Sequence, residues 1–216
     1  KKPWGPHTYL SYCYDPISQK MIWAGSHGSS RMTNPFGLWT YDPELYEWSS
    51  PQWEIKGGKF DVERHKTCMV ATPNGIAVWA DKRGGSGGQT GLWLANVKDQ
   101  VFNPVVATDP SDSKTLPFSS FGDGHGATYD SKRDRVYLMN FVQKEKNKIW
   151  AVDMKTKMVE VLVPKNSDKF PMDVTMAREC TYVPDLDIVI ICTRPQKTLI
   201  YFCEKNLVSP TRPFTI

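Results

Sequence analysis

Four times along this chain a short run of aliphatic and aromatic residues ends on a turn: Leu38-Trp39-Thr40-Tyr41-Asp42, Leu92-Trp93-Leu94-Ala95-Asn96, Ile149-Trp150-Ala151-Val152-Asp153 and Leu199-Ile200-Tyr201-Phe202-Cys203. The copies recur at roughly 50 to 57 residues, a period that marks propellers and other repeat arrays. Ahead of each copy stands a strand-turn-strand phrase. Tyr12-Cys13-Tyr14-Asp15-Pro16 leads to Met21-Ile22-Trp23, Val70-Ala71-Thr72-Pro73 to Ile76-Ala77-Val78-Trp79, Ala127-Thr128-Tyr129-Asp130 to Val136-Tyr137-Leu138, and Thr181-Tyr182-Val183-Pro184 to Ile188-Val189-Ile190-Ile191. Short alternating runs bounded by Pro, Gly, Asn and Asp are strand signals. Each repeat therefore reads as one small antiparallel sheet of four strands, the blade of a β-propeller.

The blades are expected at about 7–57, 65–119, 125–171 and 178–216, forming a single all-β domain over 1–216. The segments between them, such as Asp109-Pro110-Ser111-Asp112-Ser113, are polar turn-formers. With 15 Gly, 16 Pro and 12% aromatic residues in 216, composition favours a turn-dense β protein over a helical one. The net charge of +4 is modest and its basic residues are interspersed with acids, as in Lys144-Glu145-Lys146, so no nucleic-acid partner is expected. No apolar run approaches the ~20 residues of a membrane helix, and no membrane partner is expected. Lys1-Lys2-Pro3-Trp4 carries neither an initiator Met nor a signal-peptide core, so the start reads as trimmed, and the compartment is left open. Five cysteines in no C-x-x-C spacing read as buried strand residues, with a Cys192–Cys203 bridge as the alternative.

Gly25 after a second strand, then Tyr41, then Trp48 with six residues between, resembles the kelch repeat. Gly84-Gly85 and Leu92-Trp93 keep part of that pattern, with Ala95 and Phe102 in place of the Tyr and Trp. In the third and fourth repeats the glycine gives way to Asn140 and Cys192, and the Trp position to Val159 and Ser209. The resemblance implies a kelch-type β-propeller, with the late aromatics filling the wedges between blades. Family members usually have six or seven blades, which implies further blades from another chain or a missing segment. Galactose-oxidase relatives share the architecture and use a copper site built from Tyr, His and a Tyr-Cys crosslink. No such set can be placed on these residues, so no metal and no cofactor is assigned.

In a four-stranded blade, the start of the first strand and the loop between second and third strands share one end. His7, His65 and His125 stand at or just before first strands, with Arg64 beside them and Arg178-Glu179 opening the fourth repeat. His27, Arg31 and Arg83 fall in second-to-third loops. First strands line a propeller's channel, so these nine residues are expected around its mouth, where imidazole and guanidinium groups suit a carboxylate, a phosphate or a sugar. The competing reading is that the polar residues opening the strands bond to a neighbouring blade's backbone. The sequence holds no Gly-x-Ser-x-Gly elbow, Walker loop or His-Glu-x-x-His helix, so no catalytic residue is assigned. Gly84-Gly85-Ser86-Gly87-Gly88 lacks the Lys-Ser/Thr pair and helix of a phosphate cradle. The expected function is a non-catalytic module that presents this His/Arg-rich face to a protein or glycan. The alternative is a carbohydrate-active lyase or oxidase working at the same mouth.

Overall fold

The computed structural model describes residues 12–24, 38–57, 68–80, 90–108, 125–140, 147–169, 179–193 and 197–211. Every helix or strand among them is a β-strand, so the all-β expectation and its four blade-like sheets hold. The backbone forms two compact units, Lys1–Ser120 and Phe121–Ile216, and each contains two sheets.

In the first unit, sheet I consists of β1 (Tyr12–Asp15), β2 (Lys20–Ala24), β3 (Leu38–Asp42) and β4 (Glu47–Ser49), antiparallel in sequence order. Sheet II holds β6 (Cys68–Thr72), β7 (Gly75–Ala80), β8 (Thr90–Asn96) and β9 (Val101–Thr108), with β5 (Glu54–Ile55) added outside β9 in parallel. This corrects the expected first boundary, because Glu54 and Ile55 belong to the second sheet. The Trp53 indole is buried against Phe102 with ring centroids 4.8 Å apart. That burial draws the following residues along β9, where Glu54 N–H donates to the Gln100 carbonyl at 2.9 Å and Lys56 N–H to the Phe102 carbonyl at 2.9 Å.

In the second unit, sheet III holds β10 (His125–Asp130), β11 (Arg135–Asn140), β12 (Ile149–Asp153) and β13 (Val159–Leu162). Sheet IV holds β14 (Glu179–Val183), β15 (Ile188–Thr193), β16 (Lys197–Phe202) and β17 (Leu207–Pro210). A counterpart of β5 recurs here: Lys165 N–H donates to the Asn206 carbonyl at 2.7 Å, and Val208 N–H to the Lys165 carbonyl at 3.0 Å, in a parallel bridge.

The turns explain the regularity. Asp15, Asp42, Asp130 and Asp153 each close a strand and accept backbone N–H bonds from two residues of the turn that follows; Asn96 accepts one, from Asp99. Such Asx turns give the bend a local side-chain acceptor. Gln19, Tyr46, Gln100, Asp134, Asp187 and Asn206 then take positive φ as the last turn residue, which lets four-residue loops rejoin the ladder, and Lys157 does so as the fourth residue of a five-residue loop. The β6–β7 turn is tighter, Pro73-Asn74 alone. Gly75 follows at φ 130°, where a Cβ would run into the Ala95 carbonyl oxygen.

The fourth repeat corrects the alignment by one residue. Tyr41 faces Trp48 across the turn, whereas Tyr201 faces Val208 and Phe202 faces Leu207. Phe202 therefore takes the place of Asp42, and Val208, not Ser209, the place of Trp48. A shift of one residue exchanges the two faces of a strand, so this slip decides which side chains reach the core.

Each sheet has a leading face, turned toward the next sheet of its unit or the equivalent position, and a trailing face. In the first unit Cys13, Ile22 and Leu38 on the leading face of sheet I pack with Met69, Ile76, Val78, Trp93 and Ala95 on the trailing face of sheet II. In the second, Tyr137, Met139, Ile149 and Ala151 of sheet III pack with Tyr182, Val189, Ile191, Leu199 and Tyr201 of sheet IV. Trp39, Trp93 and Trp150 occupy equivalent third-strand positions on trailing faces and are all buried. Ala95 and Phe102, paired across β8 and β9, are both fully buried in the cluster between sheets I and II. Tyr41 and Trp48 instead pack on each other and on Trp23, half-buried on the trailing face of sheet I.

Candidate functional site

Alternating strand direction puts the tight turns at one end of every sheet. The opposite end receives the start of the first strand, the connection between second and third strands, and the link from the preceding sheet. Nine residues are expected at the channel mouth. His7, His27, Arg31, Arg64, His65, Arg83 and Arg178 lie outside the described residues. His125 and Glu179 are placed as the first residues of β10 and β14.

First strands of successive sheets meet in the same way in both units. Tyr182 N–H donates to Thr128 Oγ1 at 2.9 Å, joining β14 to β10. At the equivalent place the Ala71 backbone hydrogen-bonds the Cys13 thiol, joining β6 to β1. In the second unit the link falls three residues into each strand, so His125 and Glu179 open two neighbouring strands at matched register positions. His7 and His65 stand six residues before Cys13 and Ala71, so they match each other in sequence but not His125.

At the tight-turn end of the second unit lies a cluster that the sequence reading missed. The Arg133 guanidinium spans two carboxylates: its Nη1 donates to Asp130 Oδ2 at 2.9 Å and to Asp187 Oδ1 at 2.7 Å, and its Nη2 to Asp187 Oδ2 at 2.8 Å. Tyr137 Oη donates to Asp130 Oδ2 at 2.8 Å and Tyr182 Oη to Asp187 Oδ1 at 2.9 Å. Asp130 is fully buried and also accepts the Lys132 and Arg133 N–H groups on Oδ1. The cluster ties the β10–β11 turn to the β14–β15 turn.

Donor atoms of Asp130, Asp187 and Cys203 lie within 4.8 Å of one another, a spacing a metal could use. Arg133 already supplies the positive charge there, and burial pushes the Cys203 thiol up to about 12, away from the thiolate that binds metals. The cluster is a structural lock. Its signal was in the sequence: Arg133 and Asp187 stand 54 residues apart, one repeat period, in corresponding turns.

Arg133 first, and then the Tyr182 hydroxyl, hold the Asp187 carboxyl down to about 2. Its folded pKa is thus below its unfolded value, so the stabilisation is present above pH ~4 and is lost as pH falls toward ~2. We expect unfolding free energy to drop by roughly 1–2 kcal/mol across that window because of this carboxylate. Asp187→Asn should flatten that part of the profile, as read from urea midpoints at stepped pH. An unchanged profile would exclude the carboxylate as its source.

All five cysteines are free, so the Cys192–Cys203 bridge is not formed. Burial pushes the Cys13 thiol up to about 11 and that of Cys68 to about 12. Cys192 departs from the core-packing expectation. It is exposed, because it falls on the leading face of sheet IV, which the second unit leaves uncovered.

No protein-family model matches the sequence, and no curated protein matches it. Among solved structures the chain is similar to an auxiliary nutrient binding protein from Bacteroides thetaiotaomicron, with TM-score 0.51 and 10% identity over 94% of this chain and 41% of that one. An auxiliary nutrient binding protein from Bacteroides ovatus gives TM-score 0.49 and 12% identity, again over 94% of this chain and 41% of the other. The first likeness is one of fold, and this chain spans about two fifths of the length of both.

Proposed function

We propose that the chain is a non-catalytic binding module of propeller type, which takes a glycan or a protein segment at the end where its first strands begin. The observation that carries this reading is the matched pairing of first strands in the second unit. It brings His125 and Glu179 to the start of neighbouring strands. Two strand starts held side by side by the Tyr182–Thr128 hydrogen bond form a fixed end on which a ligand can be received. The fold likeness to a protein described as binding nutrients supports a ligand-binding role over a purely structural one. The blade type is proposed as kelch-like, on the cross-strand contact of Tyr41 with Trp48 at 5.0 Å.

The test is a glycan and peptide array, followed by titration of the best ligand against wild type, His125→Ala and Glu179→Ala. Affinity is expected to fall about tenfold or more, ~1.4 kcal/mol, in each variant. Unchanged affinity in both would overturn the placement. A sugar that is cleaved or oxidised during titration would move the reading to the carbohydrate-active enzyme.

A further inference from the structure

Sheets III and IV of the second unit meet along an apolar seam, and within that seam two sulfur atoms face each other. The Cys180 thiol of β14 donates to the Met139 thioether of β11, with Sγ and Sδ 3.5 Å apart. The ladders set both positions: Met139 stands opposite Gly126 on β10 and Ile149 on β12, and Cys180 opposite Ile191 on β15. Met139 is fully buried in a cluster with Ile149, Ile191 and Leu199, so its thioether is held by packed apolar neighbours. Cys180 packs against the same cluster but is only half-buried, so the pair keeps a route to solvent. Among the described residues no other thiol meets a second sulfur.

A thiolate and a thioether are the donors that select soft metals over the hard, oxygen-seeking ones. Charge narrows the choice further. When a monovalent ion takes the place of the thiol proton, that proton leaves to solvent as the sulfur–metal bond forms, and the site stays neutral. The thioether adds only a lone pair, so nothing is oxidised or reduced. A divalent ion would instead leave a net positive charge among apolar side chains, which is costly unless another anion pairs with it. We propose that Cys180 and Met139 bind a soft monovalent cation, of the copper(I) and silver(I) class, between their two sulfurs. One donor comes from each sheet, so the bound ion ties sheet III to sheet IV and, by binding the folded state alone, stabilises the second unit.

The test is competition for copper(I) between the 216-residue chain and a coloured copper(I) chelator, under anaerobic and reducing conditions. Wild type should withhold one ion per chain from the chelator. Cys180→Ala should lose it, and Met139→Leu, which keeps the side-chain volume, should hold it about tenfold more weakly or worse. Cys192→Ala removes an exposed thiol and should bind as wild type does. Thermal unfolding gives a second readout: copper(I) should raise the midpoint of wild type and of Cys192→Ala and leave that of Cys180→Ala unmoved. Equal affinity in wild type and Met139→Leu overturns the proposal, because the thiol would then bind alone. So does retention of the ion by Cys180→Ala, or its loss from Cys192→Ala. Should a variant at either sulfur fail to fold, X-ray absorption of wild type loaded with one equivalent decides. Two sulfur neighbours at copper are expected, and a shell with a single sulfur overturns the proposal.

Discussion

Arg133→Met should destabilise the second unit by about 3 kcal/mol or more, read as a lowered urea midpoint at neutral pH. The loss exceeds that of a surface ion pair because of what stays behind. Asp130 is fully buried, and without the guanidinium its carboxyl is left with two backbone N–H groups and neighbouring tyrosine hydroxyls as partners. Asp187 loses a bidentate partner and retains the Tyr182 hydroxyl. Replacing both members of an ion pair is often close to neutral, so adding Asp187→Asn to Arg133→Met should return part of the loss. A loss below about 1 kcal/mol in the single variant would place Arg133 with ordinary exposed pairs.

Trp93→Ala should cost the first unit about 3–5 kcal/mol. The Trp93 ring is fully buried in the cluster that joins Ile22 and Leu38 of sheet I to Met69, Ile76 and Val78 of sheet II. Truncation opens a cavity between two β-sheets whose backbones are fixed by their ladders, so the walls relax little and most of the transfer and cavity terms are felt. Thermal or urea unfolding of the variant against wild type measures it. A change under about 1 kcal/mol would mean that the two sheets do not depend on this face for their packing.

The repeat was legible because its determinants are local. Alternation in Ile188-Val189-Ile190-Ile191 and an acceptor side chain heading a turn, as in Asp15 or Asp42, are written in neighbouring residues. Where the local cue fails, the reading slips. Phe202 offers its turn no acceptor, and the fourth repeat was aligned one residue out. The parallel strand Glu54–Ile55 was unreadable for another reason: it has two residues and no alternation, and its partner lies in the next repeat. Strands β10 and β14 begin at His125 and Glu179, two of the nine residues expected at the channel mouth. Seven of its nine residues lie outside the described segments. The Arg133 lock could have been read only by laying one turn over the next at the repeat period, since neither turn alone names its partner.

The outer strand of an open sheet is an invitation to stray chains, because its unpaired amides and carbonyls template the addition of any extended segment. Strand β9, eight residues long and rich in Val, would be such an edge if its sheet stopped there. Its first two residues are instead paired by the tail of the repeat before it, Val101 with Glu54 and Phe102 with Ile55, as Lys165 bridges Leu207 at the start of β17. Part of the protection against aggregation is therefore handed forward from one repeat to the next. A sheet excised at the apparent boundary, residues 68–108, would leave behind both its cap and Trp53, and its bare margin would be free to recruit other molecules.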